Sequence, residues 1–209
     1  MGTKGQLQVD VLVAGGGPAG LGAAVSAARN GVKVLLVEPQ GFLGGTVTQA
    51  LVIGLLTQHA GNERVIGGIA QELTDRLLKI GAAKRIRVPM STAPDIVTER
   101  VEADPEMFKL TADEMVKTSK AEVWLHSYGV EALVEGNAVL GAIVHTKGGQ
   151  FEVKTKVTID ATGDGDLAFS AGAIYEQGNV VDKTLQPMSM QFRAGNVNVA
   201  RALDLRTLP

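Results

Sequence analysis

A glycine-rich turn near the start of the chain has the residue types and spacing that bind the phosphates of a nucleotide. The turn spans residues 15–20, GGGPAG, and the mostly apolar segment Val9–Ala14 precedes it. In such a turn the first glycine allows a tight bend, the second lets the backbone approach a pyrophosphate, and the third lets the following helix pack closely on the strand. That helix presents unpaired N–H groups and the positive end of its dipole to the anion. The pattern predicts a pyrophosphate-binding strand–turn–helix unit.

An acidic residue follows at the position where a dinucleotide-binding unit needs one. Pro18–Asn30 has helical apolar spacing and is followed by Gly31, and Val32–Val37 is typical of a buried parallel strand. A helix of about 13 residues covers about 20 Å, and a strand of five or six residues returns about 16–20 Å. Glu38 is therefore expected beside the glycines, where it can accept hydrogen bonds from ribose hydroxyls. The alternative is a glycine-rich turn without a ligand, followed by an acid at a strand end by chance.

The composition is that of a globular protein and argues against several kinds of site. The chain has 209 residues, of which 45% are hydrophobic and 20% charged, and a net charge of −2, which gives no reason to expect nucleic acid or an anionic membrane as a partner. It has no cysteine, which excludes disulfides and thiolate metal sites. No His, Asp or Glu group has metal-ligand spacing, so no metal site is predicted. The first residues show no basic-then-apolar signal pattern, so a cytoplasmic location is predicted. The uncharged segment Pro39–Asn62 has too short an apolar run to be expected to span a membrane.

The rest of the chain predicts a helical excursion and then a series of strands. Two amphipathic helices are expected, at Glu63–Ile80 and from Asp104 to about Ser119, with a basic loop at residues 84–94 between them. From Glu122 onward the hydrophobic period changes to two, which is typical of strands. Turn signals separate four expected strands: Val123–His126, Val130–Val134, Val139–Thr146 and Phe151–Asp160.

The first glycine turn does not distinguish NAD from FAD, so other motifs must decide. A second glycine pair, Gly44-Gly45, follows the acid, with hydroxyls at Thr46 and Thr48. Such a loop can donate further backbone N–H groups to a long, bent dinucleotide. An ordinary glycine-containing loop is the alternative. The last expected strand ends in a third glycine-rich segment, residues 160–166, DATGDGD.

Together these motifs resemble the FAD-dependent oxidoreductases of the glutathione-reductase-like superfamily, flavoproteins with two dinucleotide-binding domains. More narrowly, residues 104–109 (DPEMFK) and 186–190 (QPMSM) resemble a bacterial and archaeal family of FAD-dependent oxidoreductases. The resemblance implies an α/β fold. It is a Rossmann-like FAD-binding domain with a parallel sheet, a helical excursion and a β-meander. It also implies non-covalent FAD and a small-molecule substrate, which the motifs do not identify.

The resemblance also implies which residues contact FAD. The pyrophosphate would lie against the first glycine turn, at Gly15, Gly17, Pro18, Ala19 and Gly20. Gly44, Gly45 and Thr46 would lie along the pyrophosphate toward the ribityl chain, Glu38 would bind the adenosine ribose, and the backbone of Val130 would pair with adenine. The exit of the last strand would cover adenosine and pyrophosphate with Ala161, Thr162 and Gly163. Asp164 and Asp166 either bind the cofactor or cap the helix that begins near Leu167, and both interpretations stay open.

The resemblance divides the chain near residue 180. Residues 1–180 correspond to the FAD-binding domain, with a helical insertion at about 50–120 and the meander at about 122–160. Residues 181–209 correspond to the start of an incomplete substrate-side domain, whose sheet is expected to begin at 186–198. A truncated chain, a subunit completed by a partner and a stand-alone FAD domain are all open, and truncation is the first interpretation. An incomplete sheet would leave an apolar edge, which favours a homo-oligomer or a complementary subunit.

No grouping of acid and base residues predicts a catalytic centre. His59 is the only catalytic candidate: the resemblance places it near the flavin, where it could protonate a substrate, and a solvent-facing loop histidine is the alternative. His126 and His145, in expected meander strands, are interpreted as structural, and Arg193 as a surface residue. Three functions remain open: an FAD-binding oxidoreductase, an NAD(P)-dependent Rossmann dehydrogenase, and a non-catalytic nucleotide-binding module.

Overall fold

Four helices and thirteen strands make up the described chain. The computed structural model describes residues 4–56, 58–60, 63–90, 93–198 and 200–201. In chain order the elements are β1 (Gly5–Gln8), β2 (Val11–Ala14), α1 (Pro18–Arg29), β3 (Val34–Glu38), β4 (Gly54–Leu56), β5 (His59–Ala60), β6 (Glu63–Arg64), α2 (Gly68–Lys79), β7 (Ala83–Met90), β8 (Ala93–Ala103), α3 (Pro105–Ser119), β9 (Glu122–Leu125), β10 (Ser127–Glu135), β11 (Ala138–Thr146), β12 (Gly149–Lys154), β13 (Val157–Asp160) and α4 (Asp166–Ser170).

A parallel sheet of order β13-β2-β3-β9 carries the predicted strand–turn–helix unit. Its two central strands, β2 and β3, are apolar up to Glu38 at the end of β3, as is usual where both faces of a sheet are covered. Val13 and Leu36 are fully buried among side chains of α1, α2 and α3. Their neighbours Leu12 and Leu35 are fully buried on the opposite face, against β11 and β12. The α/β class is confirmed, and the sheet edge that carries the glycine turn is held between two hydrophobic cores.

The second sheet has the order β1-β12-β11-β10, in which β10, β11 and β12 form the expected antiparallel meander. Two sequence predictions about it are wrong. The expected strand at Val123–His126 forms β9, which pairs in parallel with β3 and not with the meander. The single strand expected at Phe151–Asp160 is two strands in different sheets, because Lys156 and Val157 turn to donate backbone hydrogen bonds to Asp10.

The excursion between β3 and β9 contains strands as well as helices. The basic loop predicted at 84–94 is wrong, because β7 and β8 form a long antiparallel hairpin that β4 extends. Cross-strand ion pairs such as Arg85–Glu99 accommodate the charged residues that suggested a loop. The helix predicted from Glu63 begins only at Gly68, because Glu63 and Arg64 form β6, which pairs with β5, and Gly67 is the N-cap of α2.

The helix predicted from Asp104 is confirmed as α3. The Asp104 carboxylate accepts hydrogen bonds from the backbone N–H groups of Glu106 at 2.8 Å and Met107 at 3.0 Å, as an N-cap residue does. Its face packs Phe108 and Met115 into the core beside α1. α3 thereby fixes the loop that carries the second glycine pair, since an added Cβ at Gly44 would lie 3.0 Å from the Phe108 ring.

The segment after α4 contains no helix or strand between residues 171 and 198. The sheet predicted to begin at residues 186–198 is therefore absent from the described part of the chain. Met188, Met190 and Phe192 alternate as in a strand but are highly exposed. A strand without a hydrogen-bonded neighbour is not stable in water, which explains the failed prediction. Residues 199 and 202–209 lie outside the described residues, and the domain boundary near residue 180 stays a prediction.

Candidate functional site

A cleft of about 480 Å³ lies at the carboxyl edge of the parallel sheet, where ligands of open α/β sheets bind. Twelve of the residues named from the sequence line it: Gly15, Gly17, Pro18, Ala19, Glu38, Gly45, Thr46, Ala161, Thr162, Gly163, Asp164 and Asp166. Three others do not: Gly20, Gly44 and Val130. The fold therefore brings the ends of β2, β3 and β13 and the second glycine loop to one cavity.

The first glycine turn needs glycine for two different reasons. Gly15 has a φ of 103°, and a Cβ there would collide with the carbonyl of Ala161. Gly20, inside α1, would place a Cβ against the carbonyl of Gly15, so its hydrogen lets the helix approach the strand end closely. Gly20 therefore contributes by letting α1 pack against the backbone of Gly15, and it does not line the cleft.

The amino end of α1 faces this cleft. Its N-cap is Gly17, Pro18 is its first residue, and its first turn carries no acidic side chain. Pro18 and Ala19 both line the cavity. The free N–H groups and the positive end of the helix dipole are thus available to an anion, as a pyrophosphate site requires.

The second glycine loop closes onto the first. The Gly44 N–H donates to the carbonyl of Gly16 at 2.9 Å. Gly45 has a φ of 50°, and a Cβ there would lie 2.8 Å from the Cα of Gly17. Gly44 thus ties the two loops together, whereas Gly45 lies at their point of closest approach and lines the cavity.

Glu38 lies at the floor of the cleft with only 6% of its surface exposed. One carboxylate oxygen accepts the N–H of Gly16 at 2.6 Å, and the other accepts the N–H of Gln40 at 2.8 Å. A carboxylate has about four acceptor positions, so about two remain for a ligand. Glu38 therefore holds the first turn in place and keeps acceptor capacity toward the cavity.

Asp160 organises the third wall, a role that the sequence reasoning missed. Its carboxylate accepts hydrogen bonds from the N–H and hydroxyl of Thr162 and from the N–H of Ala168. Burial is the largest single effect on this carboxyl and raises the pKa of Asp160. The hydrogen bonds together outweigh burial, so the pKa lies below its ordinary value. A carboxylate at a strand exit followed by threonine and glycine was the available signal.

Neither Asp164 nor Asp166 makes a side-chain cap bond at the N-terminus of α4. The N-cap residue is Gly165, without a side-chain cap bond. The hydroxyl of Thr162 accepts the N–H groups of Gly165 at 3.0 Å and Asp166 at 3.1 Å. Thr162 and Asp160 therefore accept the N–H groups at the start of α4, and Asp164 and Asp166 both line the cleft.

The cleft is bounded on the meander side by Tyr128 and Gly129, which sequence reasoning missed. A Cβ at Gly129 would lie 3.2 Å from the Cβ of Ala14, so the meander crosses close over β2 here. Val130, the next residue, lines an adjoining depression and not the cleft. Which of these residues reaches the cavity depends on the register of β10, and an alternating sequence does not give that register.

None of the histidines or Arg193 lines the cleft. The solvent-facing alternative for His59 is wrong: it lies in β5 with its side chain 20% exposed, and its Nδ1 is 3.9 Å from the Glu99 carboxylate. His126 lies between β9 and β10 and not in the meander, whereas His145 lies in β11 as expected. Among the described residues no group of His, Asp and Glu could hold a metal ion, and no helix is long and apolar enough to cross a membrane.

Comparison with known proteins identifies the family. The family described as FAD dependent oxidoreductase matches residues 10–207. Digeranylgeranylglycerophospholipid reductase of Thermoplasma volcanium is 31% identical over 200 residues, which are 91% of this chain and 48% of that protein. The enzyme of the same name from Picrophilus torridus is 29% identical over 76% of this chain and 40% of its own length. This chain therefore spans less than half the length of these curated relatives.

A solved structure shares the fold. The geranylgeranyl bacteriochlorophyll reductase-like protein of Thermoplasma acidophilum superposes with a TM-score of 0.57 at 24% identity, over 80% of this chain and 42% of its own. These findings confirm the predicted FAD cofactor and do not favour the NAD(P) alternative. The chain belongs to the FAD dependent oxidoreductase family.

Proposed function

We propose that this chain binds FAD non-covalently in the cleft and forms the FAD-binding part of an oxidoreductase acting on a small molecule. The observation that carries the proposal is the contact between the two glycine loops at the amino end of α1, with Glu38 beneath them. When bound, FAD accepts or donates hydride or electrons at its isoalloxazine ring. The chain's residues bind and orient the cofactor.

The proposed pyrophosphate site lies on the cleft side of the contact between the two loops. Gly17 and Ala19 would approach the phosphates with backbone N–H groups, and the absence of a side chain at Gly45 leaves room on the other side. Thr46 lines the same wall and would supply a hydroxyl toward the ribityl chain. An anion here needs no cationic side chain, because the helix dipole and the N–H groups supply the positive potential.

The proposed adenosine site lies between Glu38 and the start of β10. The acceptor positions that Glu38 keeps would bind the ribose hydroxyls. Tyr128 and Gly129 line the cavity on this side, with Val130 just beyond. The backbone of Val130 therefore stays the proposed adenine partner only if adenine extends from the cleft into the adjoining depression. Ala161, Thr162 and Gly163 form the opposite wall.

The relatives named above are reductases, which supports reduction of the substrate as the direction of the reaction. Because the chain spans less than half of their length, a proton donor for the substrate is proposed to come from elsewhere in the assembled enzyme. The remainder of a longer chain, a second copy of this chain or a complementary subunit would supply it. The cytoplasmic location predicted from the sequence stays a prediction.

The test is whether the purified 209-residue chain takes up FAD. The expected result is quenched flavin fluorescence with one FAD per chain, displaced by ADP and not by NAD. The Gly45→Ala variant should lose this binding. Gly136→Ala should keep it, because Gly136 also has a positive φ but lies in the β10–β11 turn, where an added Cβ would have no heavy atom within 4 Å apart from its chain neighbours. Uptake of NAD without FAD would overturn the proposal. FAD binding without reduction of the bound flavin by any donor other than dithionite would favour the non-catalytic nucleotide-binding module.

A further inference from the structure

The short helix α4 joins two walls of the FAD cleft. Near its start the N–H of Ala168 donates to the Asp160 carboxylate at 2.8 Å, which ties α4 to the end of β13. At its end the hydroxyl of Ser170 accepts the N–H of Ala132 at 2.9 Å, which ties α4 to β10. α4 therefore links the strand exit that forms one wall to the meander strand that forms another.

The pairing of β10 with β11 is interrupted on both sides of Ala132. Val130 is one extra residue on β10, as in a β-bulge, because its neighbours Gly129 and Glu131 face consecutive residues of β11. A second shift in register follows Leu133. Only three residues between these irregularities are paired without a shift, so β11 by itself fixes little of the register of this segment.

The hydrogen bond to Ser170 constrains β10 from its other side. β10 is the outer strand of its sheet in the described part of the chain, so N–H groups on its outer side have no strand partner there. The N–H of Ala132 is one of these, and the Ser170 hydroxyl accepts it in place of a neighbouring strand. This bond lies in the middle of the short segment that β11 constrains least.

The register of β10 decides which of its residues face the cofactor. In the observed register Tyr128 and Gly129 line the cleft, and Val130 lines the adjoining depression. The meander crosses the end of β2 at Gly129, where an added Cβ would lie 3.2 Å from Ala14 and 3.3 Å from Leu167. A shift of one residue would bring the side chain of Tyr128 or Val130 to this crossing, where even a Cβ is crowded.

We propose that Ser170 is a positioning residue for the adenosine side of the FAD site. Its hydroxyl fixes the register of β10 through Ala132, two residues beyond the bulge at Val130. That register keeps Tyr128 and Gly129 at the cleft. The pyrophosphate side is formed by the two glycine loops and does not depend on this bond. The role in FAD binding rests on the proposed function, whereas the hold of Ser170 on β10 does not.

Amide hydrogen exchange of the ligand-free chain, followed by NMR, tests the hold on β10 without any nucleotide. Ser170→Ala is expected to speed exchange at Ala132 by roughly two- to tenfold, as for the loss of one hydrogen bond. Ser170→Thr keeps a hydroxyl on the same carbon and should restore slow exchange. Ser119→Ala is the matched control, because Ser119 is also the last residue of a helix but lines neither the cleft nor the depression.

Two fragments of the cofactor test the effect on the site by calorimetric titration. AMP probes the adenosine side, and inorganic pyrophosphate probes the phosphate side. Ser170→Ala should raise the Kd of AMP by roughly two- to tenfold, since the effect cannot exceed the free energy of the bond that holds the register. The Kd of pyrophosphate should stay unchanged. A general loosening of the fold would weaken both probes equally.

Three results would overturn the proposal: exchange at Ala132 that Ser170→Ala does not change, an unchanged Kd of AMP in that variant, or equal weakening of AMP and pyrophosphate. Failure of Ser170→Thr to restore slow exchange and AMP binding would also overturn it. Failure of the proposed function has a different signature, since the unsubstituted chain would then bind neither AMP nor FAD. The adenosine role would fail with it, and the exchange at Ala132 would still decide whether Ser170 holds β10.

Discussion

Replacing Glu38 by glutamine tests the floor of the cleft, because it exchanges one carboxylate oxygen for an NH₂ group and leaves the size of the side chain unchanged. The carboxylate accepts the N–H groups of Gly16 at 2.6 Å and Gln40 at 2.8 Å while only 6% exposed. An amide has one acceptor oxygen, so its NH₂ group must face one of these two donors. An unpaired buried N–H costs about 1–3 kcal/mol, which is the expected loss in the free energy of unfolding.

The same substitution should weaken FAD binding. Losing a hydrogen bond to a charged acceptor costs about 1.5–3 kcal/mol, which corresponds to a roughly 10- to 150-fold higher Kd. Flavin fluorescence titration gives the Kd, and urea denaturation of the ligand-free chain gives the stability. Glu114→Gln is the matched control, because Glu114 is exposed on α3 and lines neither the cleft nor the adjoining depression. An unchanged Kd together with unchanged stability of Glu38→Gln would refute this account of the cleft floor.

Three further substitutions probe the turn, a helix cap and an ion pair. Gly15→Ala should abolish FAD binding and lower the Tm, because residue 15 has a positive φ and the added Cβ would collide with the carbonyl of Ala161. A variant that binds FAD normally would contradict this. Asp104→Ala should lower the free energy of unfolding in urea by about 1 kcal/mol through loss of the α3 cap, without changing FAD affinity. Hydrogen bonds from Arg29 lower the pKa of Glu72 to about 2 from 4.5. Its stabilisation is therefore present above about pH 4.5 and lost as the pH falls toward 2, by about 1 kcal/mol after solvent screening. Glu72→Gln should remove that part of the acid dependence of unfolding, and an unchanged pH profile would refute the assignment.

The nucleotide-binding unit could be predicted because its signals are local. Strand, glycine turn, helix, helix stop and acid lie within about 30 residues in units of this kind, and each constrains the next through fixed helix and strand lengths. The register then follows: Val37 lies beside Ala14 in the sheet, so Glu38 comes to the edge where the glycine turn begins. The cap of α3 at Asp104 was predictable for the same reason.

The sheet assignments could not be predicted because alternation does not name a partner strand. β9 and β13 have the same two-residue period as the meander strands, yet they pair with β3 and β2. The β7–β8 hairpin was hidden by charged residues such as Arg85, which pairs with Glu99 across the hairpin. Only the three-dimensional fold shows that these charges compensate each other.

The contributions of Asp160 and Thr162 to the site also depend on geometry. The sequence indicates a glycine-rich strand exit, but not that one carboxylate binds both the loop and the N–H of Ala168. Nor does it show that the Thr162 hydroxyl accepts the N–H groups of Gly165 and Asp166 at the start of α4. Such assignments need the distances between groups that are neighbours only in the folded chain.

A crystal structure of the chain with FAD would test the central claim most directly. Pyrophosphate oxygens are expected within about 2.7–3.2 Å of backbone N–H groups at the start of α1, and ribose hydroxyls at a similar distance from Glu38. The phosphates would lie against the cleft side of the contact between Gly17 and Gly45. A cofactor bound elsewhere, or a pyrophosphate that does not contact either glycine loop, would contradict it.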